Sequence, residues 1–447
     1  MSMLASDNLT AILGIGLTGM SCAAYLQANG KKFVAYDQNP NTEALARFKK
    51  RFPDVPLQTG DLADDDLLNF AQLIVSPGIS LQSKALRRAE GHGVEINGDI
   101  ELFRREVSAP ILCVTGSNGK STVTLLLAHM IETAGLTVKV GGNIGTPVLD
   151  LLDGDEPDFY VLELSSYQLE RTALLAAESA VILNLSPDHM DRYVDFSAYH
   201  SAKQRIYRGC HNVVSNRQDK MTQPLLASGV KQLSFGNNSP DLGQYGIADG
   251  QIMHGLQPIM FVAELSLAGA HNAVNVCAAM AMGSTINLPQ SAMVEAAKSF
   301  KGLPHRCEKV AVCSGVNYVN DSKGTNVGAT LAAIEGLSNA SHDIVLIAGG
   351  ISKGADFSEL KSRAACIKSV VLIGEAADEL SAVFGGDVHC EKANSMQEAV
   401  GLAAKTASQG DTVLLSPACS SFDMYANFEA RGDEFKNVVA GLIGGAG

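Results

Sequence analysis

The chain has 447 residues, of which 46% are hydrophobic and 18% charged, and its formal net charge is −13. Roughly 100–200 residues make one domain, so we expect about three domains with buried cores rather than a disordered chain. The negative charge argues against a nucleic-acid partner, because phosphate backbones require a basic face. The sequence has no apolar run of about 18 residues that would span a bilayer, and Met1 to Asn8 lacks a basic signal-peptide region. We therefore expect a cytoplasmic protein with no membrane partner.

The first segment alternates strand-like and helix-like stretches. An apolar stretch from Leu9 to Gly16 precedes a helical pattern from Met20 to Asn29, and further strands are expected at 32–36 and 72–76. This alternation predicts a parallel α/β sheet.

A glycine-rich turn lies between the first strand and the first helix. Gly14-Ile15-Gly16-Leu17-Thr18-Gly19 matches G-x-G-x-x-G, and Asp37 follows the next strand. Such a turn places phosphates at a helix N-terminus and ribose hydroxyls near the acidic residue. The residues alone therefore fit NAD or a UDP-sugar, and a dehydrogenase is a rival interpretation.

A second segment restarts the pattern after Asn97-Gly98 and contains a phosphate-binding loop. A strand at 111–114 leads into Thr115-Gly116-Ser117-Asn118-Gly119-Lys120-Ser121-Thr122, which opens a helix. The full Walker A spacing would need glycine at position 114, where Val114 stands, so this is a shortened variant. Backbone amides, Lys120 and a hydroxyl from Ser121 or Thr122 would receive the phosphates and Mg²⁺ of ATP or GTP.

Polar residues follow the later strands of this segment. Glu163 ends the apolar strand at 159–164, and His189 follows the strand at 180–185. Open parallel sheets bind their ligands at these strand ends, so both side chains are candidate metal ligands. Lys203, on a helical stretch, reads as a surface lysine from the pattern alone.

A third segment begins after Lys301-Gly302-Leu303-Pro304. Strands are expected at 317–320, 343–348, 369–373 and 412–416, between Ala-rich helices. We therefore divide the chain into three domains, 1–98, 99–302 and 303–447, each with a mainly parallel sheet.

Taken together, the motifs resemble the Mur ligase family of peptidoglycan synthesis. The ordered signatures are the phosphate loop, Gly141-Gly142-Asn143-Ile144-Gly145, Glu163-Leu164-Ser165-Ser166, His271-Asn272-x-x-Asn275 and Leu303-Pro304-His305-Arg306. Asn320-Asp321-Ser322-Lys323-Gly324-Thr325-Asn326 and Ser416-Pro417-Ala418-Cys419-Ser420-Ser421-Phe422-Asp423, with Asn427-Phe428-Glu429-x-Arg431-Gly432, resemble the members that add D-glutamate. Gly324 stands where alanine is more usual, and Ala-Gly-Gly-Ile-Ser-Lys at 348–353 also departs from the pattern.

The resemblance implies a fold and a reaction. The N-terminal domain would be Rossmann-like, the central one P-loop NTPase-like, and the C-terminal one Rossmann-like. The enzyme would use ATP to join D-glutamate to UDP-N-acetylmuramoyl-L-alanine through an acyl phosphate, with closure of the third domain near residues 300–306. We expect it to act as a monomer.

The resemblance also implies roles for individual residues. The UDP substrate would be bound by Leu17, Thr18, Asp37, Ser76, Pro77, Gly78, Asn143 and His189. ATP would be bound by residues 116–122 together with Asn272, Asn275, Arg306 and Asp321. D-glutamate would meet Thr325, Lys353, Ser421 and Phe428. Ser121, Glu163, His189 and Lys203, the last as a carbamate, would hold two Mg²⁺ ions, and Lys120, Glu163, His189 and Lys203 would form the catalytic set.

Two further alternatives stay open from the residues. A folylpolyglutamate synthetase of the same superfamily would share the phosphate loop without needing the N-terminal glycine turn. A non-enzymatic nucleotide switch would turn ATP over slowly and would leave the motif from Ser421 to Gly432 unexplained.

Overall fold

The computed structural model describes residues 9–190, 192–224, 229–267, 269–338 and 343–444. Met1 to Asn8, on which the expectation of no signal peptide partly rests, lie outside these ranges. Within the ranges, no helix is long and apolar enough to cross a membrane. Three β-sheets follow one another along the chain.

The first sheet has five parallel strands in the order β3-β2-β1-β4-β5. Its strands are β1 (Thr10–Leu13), β2 (Phe33–Asp37), β3 (Leu57–Thr59), β4 (Gln72–Val75) and β5 (Glu95–Asn97). The helices between them are α1 (Leu17–Ala28), α2 (Thr42–Arg51) and α3 (Lys84–Gly91), and α4 (Asp99–Glu106) follows. The order places the carboxyl ends of β1 and β4 side by side, where open sheets bind ligands.

The second sheet has nine strands in the order β14-β13-β12-β11-β10-β9-β6-β8-β7. Its strands are β6 (Ile111–Thr115), β7 (Val138–Gly142), β8 (Phe159–Glu163), β9 (Ser179–Ile182), β10 (Asn212–Asn216), β11 (Lys231–Phe235), β12 (Tyr245–Ala248), β13 (Gln251–His254) and β14 (Gln257–Phe261). Its helices are α5 (Lys120–Thr133), α6 (Ser166–Leu169), α7 (Phe196–Gln204), α8 (Ala270–Thr285) and α9 (Gln290–Ser299). Strands β6 to β11 pair in parallel, whereas β12, β13 and β14 pair antiparallel.

The third sheet has six strands in the order β15-β16-β20-β17-β18-β19. Its strands are β15 (Glu308–Cys313), β16 (Val316–Asn320), β17 (Ile344–Gly349), β18 (Ile367–Ile373), β19 (His389–Lys392) and β20 (Thr412–Leu415), and its helices are α10 (Val327–Leu337), α11 (Ala377–Phe384), α12 (Met396–Thr406) and α13 (Phe428–Gly444). Among the strand pairs that the structure describes in this sheet, only the β15–β16 hairpin is antiparallel.

The α/β class with mainly parallel sheets is confirmed, and the boundaries after residues 98 and 302 stay predictions that fall between the sheets. Strands β3, β5, β10 to β15 and β19 were not anticipated. These strands have three to six residues each, and strands this short give little periodic signal.

Buried side chains connect the first two sheets. One hydrophobic core continues from α1, through Ile12 and Phe103, to Tyr160 and Ile182 of the second sheet. The Phe103 and Tyr160 rings pack edge to face with centroids 5.0 Å apart. Two other cores, one on each face, cover the third sheet.

Candidate active site

The phosphate loop joins β6 to α5 as the sequence predicts. Gly119, the residue before α5, has φ +84°, and a Cβ there would lie 2.6 Å from Asn275 Oδ1. A side chain would therefore be strained by both the backbone and its neighbour. The loop is anchored from β9's carboxyl end, because Asn184 Oδ1 accepts from Asn118 N at 2.8 Å. The N-terminus of α5, which no side chain caps, therefore opens at this loop, and helix N-termini of this kind bind phosphate.

Lys120 lies against the loop that precedes it. Its Nζ donates to the carbonyl oxygens of Gly116 at 2.9 Å and Ser117 at 3.0 Å. Burial, the largest effect, lowers the pKa of Lys120, while Glu163 and Asp188 oppose this. The Lys120 amine is therefore held at the loop by two backbone carbonyl acceptors.

Glu163 lies at the carboxyl end of β8 and connects the loop to two other regions. Glu163 Oε2 accepts from Ser121 Oγ at 2.5 Å, and Oε1 accepts from Asn143 Nδ2 at 2.7 Å. Ser121 Oγ in turn accepts from Arg306 Nη2 at 2.6 Å. A chain of hydrogen bonds therefore runs from the third segment through the phosphate loop to Asn143.

His189 lies in a strained part of the chain beside these groups. Its φ is +59°, a conformation that costs a non-glycine residue energy and is common at functional sites. Its ring lies 4.9 Å from that of Tyr167. Burial, the largest effect, lowers the pKa of the imidazole, and Asp188 only partly offsets this. The neutral ring that metal ligation needs is thereby favoured.

Lys203 is not the surface lysine that its sequence pattern suggested. Its side chain is buried, and Nζ donates to Thr115 Oγ1 at 3.2 Å and to Gly116 O at 3.0 Å. Burial and the neighbouring Lys120 charge lower the pKa of Lys203 well below its ordinary value. Burial therefore disfavours the charged form of this amine at the base of the phosphate loop.

The donors near the loop suit a hard cation that is shared with a ligand. In the parts of the chain that the structure describes, no group of three His, Cys, Asp or Glu residues could hold a metal ion. Mg²⁺ commonly uses one or two protein carboxylates, with phosphates and waters completing its shell. The hydroxyl of Ser121 and the carboxylate of Glu163, already 2.5 Å apart, match that pattern.

A cavity of about 230 Å³ opens beside the phosphate loop. Asn272, Asn275, Arg306 and Asp321 line it, together with Asn118, Gly119 and Thr122. Burial raises the pKa of Asp321 to about 6, although Ser416 donates to its carboxylate. The ATP contacts predicted outside the loop therefore meet in one cavity beside it.

The predicted residues of the first segment gather at the carboxyl edge of its sheet. Asp37 Oδ2 accepts from Ile15 N at 2.8 Å, and Ser76 Oγ donates to Gly14 O at 3.1 Å. Leu17, at the start of α1, is 68% exposed. Thr18, Pro77 and Gly78 adjoin these residues in the chain. The two turns therefore form one ledge, which is exposed at Leu17 and Gly78 and half-buried at Thr18, Asp37, Ser76 and Pro77.

A cleft of about 800 Å³ lies between the second and third sheets. The predicted residues that line it are Ser117, Asn118, Gly119, Lys120, Ser121, Asn143, Glu163, His189, Lys203, Arg306, Thr325, Lys353, Ser421 and Phe428. All four predicted amino-acid contacts therefore face the phosphate loop. Among the described residues that line this cleft, the only predicted UDP contacts are Asn143 and His189, and the first-sheet ledge lies outside it.

Family models match the chain in three consecutive stretches. Residues 8–98 match the Mur ligase MurD-like N-terminal domain, residues 114–283 the Mur ligase middle domain, and residues 305–419 the Mur ligase glutamate ligase domain. The chain belongs to the Mur ligase family.

Relatives and solved structures agree with this membership. A UDP-N-acetylmuramoylalanine–D-glutamate ligase of Marinobacter nauticus is 48% identical over 99% of this chain and 100% of its own length. The ligase of that name from Pseudomonas aeruginosa is 47% identical over the same shares. The UDP-N-acetylmuramate–alanine ligase of Thermotoga maritima, 17% identical, superposes with a TM-score of 0.58 over 97% of this Mur ligase and 99% of the other chain. That likeness supports the fold.

Sequence reasoning missed two residues of this Mur ligase that adjoin the loop. Lys323 lines both cavities, and its Nζ lies 3.9 Å from the centroid of the Phe428 ring. Burial, together with the charges of Arg306 and Lys120, lowers the pKa of Lys323 to about 8. Tyr199 Oη lies 2.9 Å from Ser117 Oγ. Lys323 stands inside the Asn320 to Asn326 motif and could have been found there. Nothing in the sequence pattern around Tyr199 indicates that its hydroxyl contacts Ser117.

Proposed function

We propose that this Mur ligase joins D-glutamate to UDP-N-acetylmuramoyl-L-alanine, with ATP converted to ADP and phosphate, as a cytoplasmic monomer. The observation that carries the proposal is the cleft, which faces the phosphate loop with Thr325, Lys353, Ser421 and Phe428. The full-length relatives whose names contain this reaction support it.

The cations around the loop suit carboxylate activation. Amide formation in water is uphill, so the acceptor carboxylate attacks the γ-phosphorus of ATP, a carboxyl oxygen–phosphorus bond forms, and ADP leaves. Negative charge collects on the transferring group, and its neutralisation is the main catalytic need. Positive charge surrounds Glu163, from Lys120, Arg306 and Lys323. The Glu163 carboxylate raises the pKa of each of these side chains and so partly offsets the effect of their burial.

Magnesium fits the oxygen donors of this cleft. We propose that Ser121 and Glu163 hold one Mg²⁺ with ATP, and that His189 and Lys203 hold a second one. Lys203 would do so as a carbamate, which forms from a neutral amine, and burial lowers the pKa of Lys203 in the direction that this requires. When bound, Mg²⁺ withdraws charge from the phosphate oxygens.

The third domain would present D-glutamate to the activated carbonyl. Lys353 and Ser421 can donate to the amino acid's carboxylates, and Phe428 and Thr325 line the same wall. The neutral amine attacks the carbonyl carbon, phosphate leaves, and the amine loses a proton. The UDP end would lie on the ledge of Leu17, Thr18, Asp37 and 76–78, with Asn143 contributing from the second domain.

The decisive experiment measures ADP release with UDP-N-acetylmuramoyl-L-alanine and a panel of D-glutamate, L-glutamate, D-aspartate and L-alanine. Release that requires D-glutamate is expected. Release independent of the amino acid would refute the assignment, and nicotinamide reduction without ATP would favour the dehydrogenase. Lys120→Ala should abolish turnover, whereas Lys361→Ala, which removes an exposed partner of Asp387, should not.

A further inference from the structure

Two arginines of the second domain hold the backbone next to the first-domain ledge. Arg192 donates from Nη1 to Gly78 O at 3.2 Å and from Nη2 to Ile79 O at 3.0 Å. Arg171 donates from Nη2 to the same Ile79 carbonyl. Guanidinium groups of the second domain therefore hold two backbone carbonyls of the first domain. One belongs to Gly78, the last residue of the turn 76–78, and the other to Ile79, the residue that follows it.

Both arginines are fixed by their own surroundings. The Arg171 side chain is fully buried and the Arg192 side chain is 12% exposed, and both lie within 3.4 Å of Glu170 Oε2. The Arg192 guanidinium also stacks 4.1 Å from the centroid of the Tyr167 ring. A planar guanidinium that is paired, stacked and largely shielded from water holds its partners in one geometry.

Arg192 is also connected to the segment that carries His189. Arg192 N donates to His189 O at 3.0 Å. The Tyr167 ring, on which Arg192 stacks, contacts the His189 ring at 4.9 Å. One residue thus links the turn expected to bind the UDP end of the acceptor to the imidazole expected near its reacting end.

We propose that Arg192 is a positioning residue, which fixes the turn 76–78 at a set distance from His189 so that the acceptor is held at both ends. The proposal rests on the proposed function. Because a lysine cannot reach two adjacent carbonyls with a rigid fork, the role requires arginine and not only positive charge. Arg171, whose side chain is fully buried, is the second donor to Ile79 O.

The test compares Arg192→Gln and Arg192→Lys with Arg47→Gln, which removes an exposed arginine of α2 in the first domain. Steady-state kinetics in the full-length enzyme should show the KM for UDP-N-acetylmuramoyl-L-alanine raised about tenfold in Arg192→Gln, the loss expected for about 1.4 kcal/mol. The KM values for ATP and D-glutamate should change less than about twofold. Arg192→Lys should recover only part of the loss, and Arg47→Gln should match the parent.

Hydrogen exchange gives a readout that does not depend on turnover. In the free enzyme, the amides of residues 78–80 should exchange faster in Arg192→Gln than in the parent or in Arg47→Gln. Unchanged exchange and an unchanged KM for the UDP substrate in both Arg192 variants would overturn the positioning role. If the parent enzyme itself does not consume that substrate, the proposed function fails first. If Arg192→Gln lacks a cooperative unfolding transition, Arg192→Lys alone decides by the same two measurements.

Discussion

The second domain meets its two neighbours through different chemistry. Toward the first domain, the buried core is continuous, and Ser21 Oγ adds a hydrogen bond of 2.6 Å to Asp150 Oδ1. Toward the third domain, α10 packs against α8, and polar contacts cross the cleft: Arg306 reaches Ser121, and the amides of Asn118 and Asn326 pair at 3.3 and 3.5 Å. Apolar burial resists separation, whereas polar contacts at a cleft exchange readily with water and ligands.

The contrast suits a ligase that must exclude water from an acyl phosphate. We propose that the first two domains, which share one core, support the acceptor and the phosphate loop, and that the third domain moves against them and brings D-glutamate with it. Closure of this kind hides the activated carboxyl group from hydrolysis.

The largest effect should come from a change in the shared core. Phe103→Ala removes a fully buried ring that packs on Tyr160, and such truncations cost about 3–5 kcal/mol. Hydrogen exchange should show lost protection in both the first and second domains. Phe384→Ala, an equally buried ring in the third domain, should loosen that domain alone. If Phe103→Ala affected only one domain, the shared core would not be one cooperative unit.

A smaller effect is expected where the third domain reaches the phosphate loop. Arg306→Gln removes the charge that donates to Ser121 Oγ at 2.6 Å. We expect kcat/KM for ATP to fall about 100-fold, which corresponds to about 2.7 kcal/mol. Arg363→Gln, which breaks only an exposed ion pair with Glu335, is the control. Similar kinetics in the two variants would contradict a role for Arg306 in the nucleotide site.

The sequence predicts sites formed by contiguous residues well and contacts between distant elements or domains poorly. Residues 115–122 form one local turn, so their role follows from spacing, and Glu163 could be placed because it ends an apolar strand. Lys203 is buried because α7 packs over the phosphate loop. The periodic pattern of apolar residues within α7 does not predict which surface that helix covers. The continuity of one core across two domains also depends on which helix faces meet, and Phe103 looks like any apolar residue in the sequence.

A pH profile should resolve the contribution of Lys323. Its pKa of about 8 means that it is charged below that pH and neutral above it in the free enzyme. Because the charged form attracts the phosphates of ATP, kcat/KM for ATP should fall by about 25-fold, as the charged fraction does, when pH rises from about 7.5 to 9.5. Lys323→Arg keeps its charge throughout and should flatten this fall. An identical profile in the variant would assign the fall to another group, such as Lys120, whose pKa is also lowered.

The smallest effect should appear at the connection between the second and third domains. Gly302 has φ +84°, and His305 and Cys307 follow with φ of +62° and +48°. Gly302→Ala would disfavour this conformation by about 1 kcal/mol, and small-angle scattering with an ATP analogue and acceptor should then show weaker compaction than in the parent. Gly315→Ala is a matched control, because Gly315 has φ +76° in the β15–β16 turn and its Cβ would also meet only a side chain. Its compaction should equal that of the parent, since a conformational cost inside the third domain leaves the connection unchanged. Equal compaction in both variants would move the hinge away from residue 302.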